Sequence, residues 1–342
     1  MDIKGLVTGI GSLPFKDADR ALDLIFKHMP EIPFWPQLPR KDMREGMLAQ
    51  FSQGLPCLRL SENGLSFDAS MQEEELGQFY ERIIADDKEY FKISSEFADG
   101  LWQFLYRLEK EDINRIEFIK GQVTGPFTFA ASINDNTGKA MLHNSVFFQA
   151  AQEGLAMKAR WQIDLFSKFG KPMIMFFDEP YLTCLGSGFT SINREDVVGG
   201  LTEFTKKIKS PNCLVGVHCC GNTDWSVFTD VPYIDIINFD AFNFLDRVLL
   251  YAEELLGFFK RGGMLAWGIV PTDSFDSQAK AVDLLRRLNT GMDSLVKKGI
   301  GRDLLERGMI LTPSCGLGTL DPGKVELIFK CLTELSLSLQ AE

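Results

Sequence analysis

The sequence predicts an α/β fold, a (β/α)8 barrel of TIM type, and three observations carry that prediction. Apolar runs of strand length alternate with helix-spaced segments along the 342-residue chain. There is no low-complexity tract, linker or solenoid-type repeat, so residues 1–342 read as one domain with an elaboration at about residues 40–110. Polar residues recur just past the C-terminal ends of the apolar runs: Ser12, Asp178, His218 with Cys220, Asp240 and Cys315. A doubly wound sheet also alternates strands with helices. In a barrel, however, these strand ends converge on one mouth.

Taken in order, Leu6 to Ile10 is the first strand, turning at Gly11-Ser12-Leu13-Pro14. Ala18, Ala21, Leu22, Leu24 and Ile25 have helical spacing, which predicts a helix from Asp17 to His28. Ile32 to Pro39 is a second strand, punctuated by prolines that turn its far end into a loop. A helix is expected from about Lys41 to Phe51, then a hairpin of Cys57–Leu60 and Leu65–Phe67 turning at Asn63-Gly64. Residues 71–109 read as helix, with Phe79, Tyr80, Phe91, Phe97, Leu101, Phe104 and Leu105 on the inner face. Arg115–Val123, Pro172–Phe177, Cys213–Val217, Ile234–Phe239, Met264–Ile269 and Met309–Thr312 complete the strands. Helices are expected within 138–169 and over 196–209, 246–260, 275–298 and 322–339, with a glycine-rich loop after Pro180.

Composition narrows the function classes. The chain is 45% hydrophobic and 24% charged, as in ordinary globular proteins, and no apolar stretch is long enough to cross a bilayer. The first residues show no basic region followed by an apolar core, so a cytoplasmic location is expected. A net charge of -11 argues against a nucleic-acid surface, which needs a basic face. Seven cysteines, two of them adjacent, suit reduced thiols better than a disulfide framework.

The chemistry concentrates at Val217-His218-Cys219-Cys220-Gly221-Asn222. Side chains two apart on a strand share a face, so His218 and Cys220 point the same way. Imidazole nitrogen and thiolate sulfur are ligands that Zn²⁺ prefers. Cys315, at a second strand end before a glycine-rich turn, supplies a third ligand, leaving one position open for a substrate thiol. Cys57, Cys184, Cys213 and Cys331 read as small core residues. Trp35, Phe177 and Trp267 are candidates for an apolar wall at the mouth or for the core.

Gly9-Ile10-Gly11-Ser12-Leu13-Pro14, Phe177-Asp178-Glu179-Pro180, Val217-His218-Cys219-Cys220 and Pro313-Ser314-Cys315-Gly316-Leu317 resemble, in order, the catalytic half of cobalamin-independent methionine synthase. That family shares a superfamily with uroporphyrinogen decarboxylase and with zinc methyltransferases that pass a methyl group from a corrinoid protein to coenzyme M. The run from His218 to Asn222 is similar to the latter group as well. The resemblance implies a barrel of this superfamily type and a zinc-dependent methyltransferase acting on homocysteine to give methionine. It implies His218, Cys220 and Cys315 as zinc ligands, with Asp240 standing where the family has a glutamate ligand. It implies Asp178 as binder of the substrate amino group, and Gly11 and Ser12 as a clamp for its carboxylate. The resemblance covers that family's catalytic half, and a chain without the N-terminal half that helps hold folate is expected. Gln37 and Arg40 stand in the region of its acidic residue after the second strand. Short relatives of this kind take the methyl group from methylcobalamin or a corrinoid protein, which makes these the expected donors. Coenzyme M as acceptor, a metal-free decarboxylase of tetrapyrroles and a non-catalytic corrinoid- or metal-binding protein are the alternatives.

Overall fold

Nine strands are present in the computed structural model, which describes residues 3–62, 64–68, 70, 72–186, 192–276 and 280–341. They are β1 (Leu6–Val7), β2 (Leu58–Ser61), β3 (Gly64–Phe67), β4 (Ile119–Thr124), β5 (Met173–Asp178), β6 (Cys213–Cys219), β7 (Ile236–Phe239), β8 (Met264–Val270) and β9 (Met309–Pro313). Seven form one parallel sheet in the order β1-β9-β8-β7-β6-β5-β4, with helices in the connections. The chain is thus α/β, built on a curled parallel sheet.

The expected second strand does not form a ladder. Residues 32–37 lie between the outer edges of the sheet and touch each by a single bridge, Phe34 to Lys120 and Gln37 to Ser12. Backbone hydrogen bonds run from Lys120 N to Pro33 O (3.0 Å), Gln37 N to Gly11 O (3.0 Å) and Leu13 N to Gln37 O (2.9 Å). Pro33 and Pro36 have no N–H to give a neighbour, so a regular ladder cannot propagate here.

Alternation along the strands sorts residues into two layers. Ile174 and Phe176 of β5, Ile236 of β7, Ala266 of β8 and Ile310 of β9 pack with Ile32 and Phe118 in a small inner cluster. Met175, Phe177, Val215, Val217, Phe239 and Trp267 point the other way, into the larger core beneath the helices. The inner face then carries Lys120, Gln122, Asp178, His218, Asn238 and Thr312 by the same period. All but Asp178 and His218 are completely buried.

The hairpin of β2 and β3 forms in antiparallel register, Leu58 opposite Phe67; its expected turn residue Asn63 lies outside the described residues. The helix expected from Lys41 to Phe51 is instead two 3₁₀ turns, Met43–Glu45 and Ala49–Phe51, separated by Gly46 in extended backbone. Residues 71–109 divide into Gln72–Ile84, a 3₁₀ turn at Lys88–Phe91 and Asp99–Leu108; the break passes through Asp86 at φ 50°. Short helices at Pro126–Ser132 and Arg302–Arg307 had no counterpart in the sequence reading. The helix expected from Phe275 is Ala281–Lys297, with residues 277–279 outside the described set, as are 187–191 of the glycine-rich loop. No helix among the described residues is long and apolar enough to cross a membrane.

Candidate metal centre

β6 sets the position of the site. Gly216, His218 and Cys220 alternate onto its inner face, and a Cβ at Gly216 would stand 2.1 Å from the Phe176 ring, so the strand can pack here only with glycine. Asp178, His218 and Asn238 are paired across β5, β6 and β7, which puts them side by side at one level. Cys315 arrives from the end of β9. The ligand atoms of His218, Cys220 and Cys315 lie within 4.8 Å of one another. Tetrahedral zinc with these donors needs separations of roughly 3.5–3.8 Å, so the atoms need move by no more than about 1 Å.

The tautomer of His218 follows from its neighbour. Asn238 donates through Nδ2 to the Ala266 carbonyl (2.9 Å) and to Thr312 Oγ1 (2.8 Å). Its Oδ1 is therefore left to accept, and it faces His218 Nδ1. Nδ1 then carries a proton, which leaves Nε2 as the nitrogen that faces the thiols and can bind a metal once it gives up any proton of its own. The two thiols differ in acidity. The Cys315 thiol and His218 beside Cys220 hold the Cys220 thiol well below the usual range, while the shared proton and burial push Cys315 up. The donor set and its geometry fit zinc.

Around this centre is a cavity of about 660 Å³ lined by Ser12, Asp178, His218, Cys220 and Cys315. Gln37, Arg40, Glu45 and Asp273 add polar groups to its wall. Asp178 is 7% exposed, and its Oδ1 has no hydrogen-bond partner. Burial raises its pKa, against the pull of His218 and Lys120. Ser12 accepts from Gly318 N through Oγ (3.3 Å) and from Leu317 N through its carbonyl (2.9 Å), which ties the first turn to the loop after β9. Gly316 is needed for this approach, since a Cβ there would stand 2.4 Å from Ser12 Oγ. Gly11 sits behind Ser12, packed on Gln37 and Gln122, and is not among the lining residues.

Asp240 is engaged differently from His218, Cys220 and Cys315. It caps the helix Ala241–Val248, its Oδ1 accepting from Asn243 N (2.9 Å) and its Oδ2 from Asn243 Nδ2 (2.7 Å). It stands outside the group formed by His218, Cys220 and Cys315. Glu179 turns away from the cavity and accepts from Phe127 N (3.0 Å), Thr128 N (2.8 Å) and Thr128 Oγ1 (2.7 Å) at the start of helix Pro126–Ser132. Burial pushes its pKa up to about 7, while these hydrogen bonds and the helix N-terminus pull toward the ionised form. Trp35, Phe177 and Trp267 are fully buried core residues, and none lines the cavity.

Sequence reasoning passed over Asn238, Lys120 and Gln122. A signal was present: each is a polar side chain at an inward position of an otherwise apolar run, and a buried polar group must find a partner.

No family model matches the chain, and no curated protein matches it. Solved structures similar to it include a B12-independent methionine synthase from Shewanella sp. W3-18-1 in complex with selenomethionine. That likeness has a TM-score of 0.46 and 17% identity over 70% of this chain and 67% of that one. A putative vitamin-B12 independent methionine synthase from Listeria monocytogenes gives a TM-score of 0.43 and 15% identity, over 65% of this chain and 64% of that one. A chitinase from Rhizomucor miehei gives 0.33 and 14%, over 68% and 86%. These likenesses are distant.

Proposed function

We propose that the chain is a zinc-dependent methyltransferase that methylates the thiol of homocysteine to give methionine. The observation that carries this reading is the convergence of His218, Cys220 and Cys315 in one cavity with the unpartnered Asp178 oxygen. In this reading the curled sheet is a (β/α)8 barrel of one domain, closed by residues 32–37.

Zinc held by these three residues would supply Lewis acidity that favours the thiolate form of an incoming thiol at neutral pH. Asp178 accepts a hydrogen bond from the substrate ammonium, and the turn at Gly11 and Ser12 receives its carboxylate. Asn238 holds His218 in the ligating tautomer. The cavity walls fix the thiol sulfur in line with the methyl carbon of the donor. The thiol proton is lost, a sulfur lone pair forms the new S–C bond, and the methyl–donor bond breaks with its electron pair leaving on the donor. Methylcobalamin or a corrinoid protein is the donor that the sequence resemblance implies.

The test is elemental analysis for zinc, followed by methionine formation from homocysteine with methylcobalamin and, separately, with a methylated folate. About one zinc per chain is expected, lost in Cys315→Ala, with turnover by one of the two donors. Wild-type protein without zinc after metal-replete purification sinks the reading and leaves the decarboxylase-type alternative, which has no use for the thiols. Zinc without turnover by either donor moves the reading to another acceptor thiol, such as coenzyme M.

A further inference from the structure

The sheet has a seam. Between β1 and β4 the backbone offers single bridges in place of a ladder. Two buried side chains of β4 cross that seam. Lys120 Nζ donates to the Ile10 carbonyl at 2.7 Å and also lies 3.4 Å from Gln122 Oε1. Gln122 Nε2 donates to the Trp35 carbonyl at 3.0 Å. Behind them Gln162 completes the network. It accepts from Trp35 Nε1 (2.9 Å) and donates to the Gln122 carbonyl (3.0 Å).

Lys120 is completely buried, with its Nζ over the rings of Phe34 and Phe176 at 5.6 and 4.8 Å. A lysine amine in such a place is held by what it bonds. Burial lowers its pKa to about 7, against the pull of Asp178; the charged and neutral forms both keep an N–H for Ile10. The acceptor matters because Ile10 lines the cavity and is followed directly by Gly11 and Ser12. That turn in turn bonds Gln37 and the loop carrying Gly316 and Gly318.

We propose that Lys120 is a positioning residue. Its bond to the Ile10 carbonyl, with that of Gln122 to Trp35, replaces the missing ladder and sets the Gly11–Ser12 turn and Gln37 at the floor of the cavity. Lys120 is neither among the residues lining the cavity nor in the group of His218, Cys220 and Cys315, and acts through the backbone of residues 10–12. It therefore governs substrate binding while leaving metal binding to the other side of the cavity.

Hydrogen exchange on the whole protein, wild type against Lys120→Met, tests this without reference to catalysis. The amides of Leu13 and Gln37 cross the seam, so their exchange should quicken roughly tenfold or more, while amides of the β6–β7 ladder such as Val217 keep the wild-type rate. Zinc content should be unchanged. The effect on binding rests on the proposed function: the dissociation constant for homocysteine should rise roughly tenfold, with Lys120→Arg recovering part of the loss. Unchanged exchange at Leu13 and Gln37, an equal rise at Val217, or loss of zinc would each overturn the proposal. Should Lys120→Met fail to fold, Gln122→Leu is read in the same way, expected to quicken Gln37 more than Leu13; equal rates to wild type overturn it. Wild-type protein that binds zinc but not homocysteine defeats the proposed function alone, and the exchange result still decides the role of Lys120.

Discussion

Two sides of the cavity are held in different ways. The thiol and imidazole side stands on β5, β6, β7, β8 and β9, joined by parallel ladders from Met173 opposite Cys213 up to Asp178 opposite His218. The opposite side, where Gly11, Ser12 and Gln37 sit, is joined by isolated bridges and by the buried side chains of Lys120 and Gln122. A ladder repeats its hydrogen bonds along the strand, so one lost contact is shared by its neighbours. A seam of single bonds has no such reserve. His218, Cys220 and Cys315, the proposed zinc ligands, thus stand on the more constrained side. Ser12 and Gln37, which face the organic substrate in the proposed reading, stand on the more adjustable one.

That contrast can be broken most severely at the ligands. Cys220→Ala should abolish stoichiometric zinc and reduce methyl transfer by roughly a thousandfold, with the circular dichroism spectrum unchanged. Retained zinc would show that Cys220 is not a ligand. A smaller loss is expected one residue further out. Asn238→Ala removes the acceptor for His218 Nδ1 and should weaken zinc binding about 10- to 100-fold in a chelator competition. Wild-type affinity in that variant would mean that the orientation of His218 comes from packing alone.

Next come the joints behind the ladder. A Cβ at Gly125 would stand 2.3 Å from the Glu179 carboxyl, where that group caps the helix after β4. Gly125→Ala should cost about 1–3 kcal/mol in urea unfolding, with zinc still bound. A neutral result would show that Glu179 can move aside at no cost.

The smallest expected effect is on the seam side and depends on pH. Glu45 accepts from Leu38 N at 3.2 Å, just beyond Gln37, and burial raises its pKa to about 7. A carboxyl whose folded pKa lies above its unfolded value binds its proton more tightly in the native state. Its contribution to stability is therefore full below the unfolded value and is lost as pH rises toward 7. The urea midpoint of Glu45→Gln should fall less than that of wild type over this interval. Parallel pH curves for the two proteins would show that Glu45 titrates alike in both states.

Much of this arrangement could be read from the chain because it is local. His218 and Cys220 share a face by the two-residue period of a strand, and they do so in the structure. Cys315 was placed with them from its position at another strand end. The second strand was the least legible. Its apolar residues suggested a ladder, but Pro33 and Pro36 withhold the donors that a ladder needs. A helix is expected over Lys41–Phe51, whereas Gly46 and the contacts of Gln50 with Gln37 and Phe97 hold the segment in two short turns.

By itself the sequence determined the parallel α/β class, the strand ends that carry polar groups and the inward pairing of His218 with Cys220. These follow from covalent geometry over a few residues. Only the tertiary structure decided that Asn238 sets the tautomer of His218, that Asp240 spends both oxygens on a helix cap, and that Lys120 reaches across to Ile10. Each is a contact between side chains far apart in the chain or a choice among competing partners. Such contacts depend on strand register and on which groups remain unsatisfied once the core has closed, which no local period encodes.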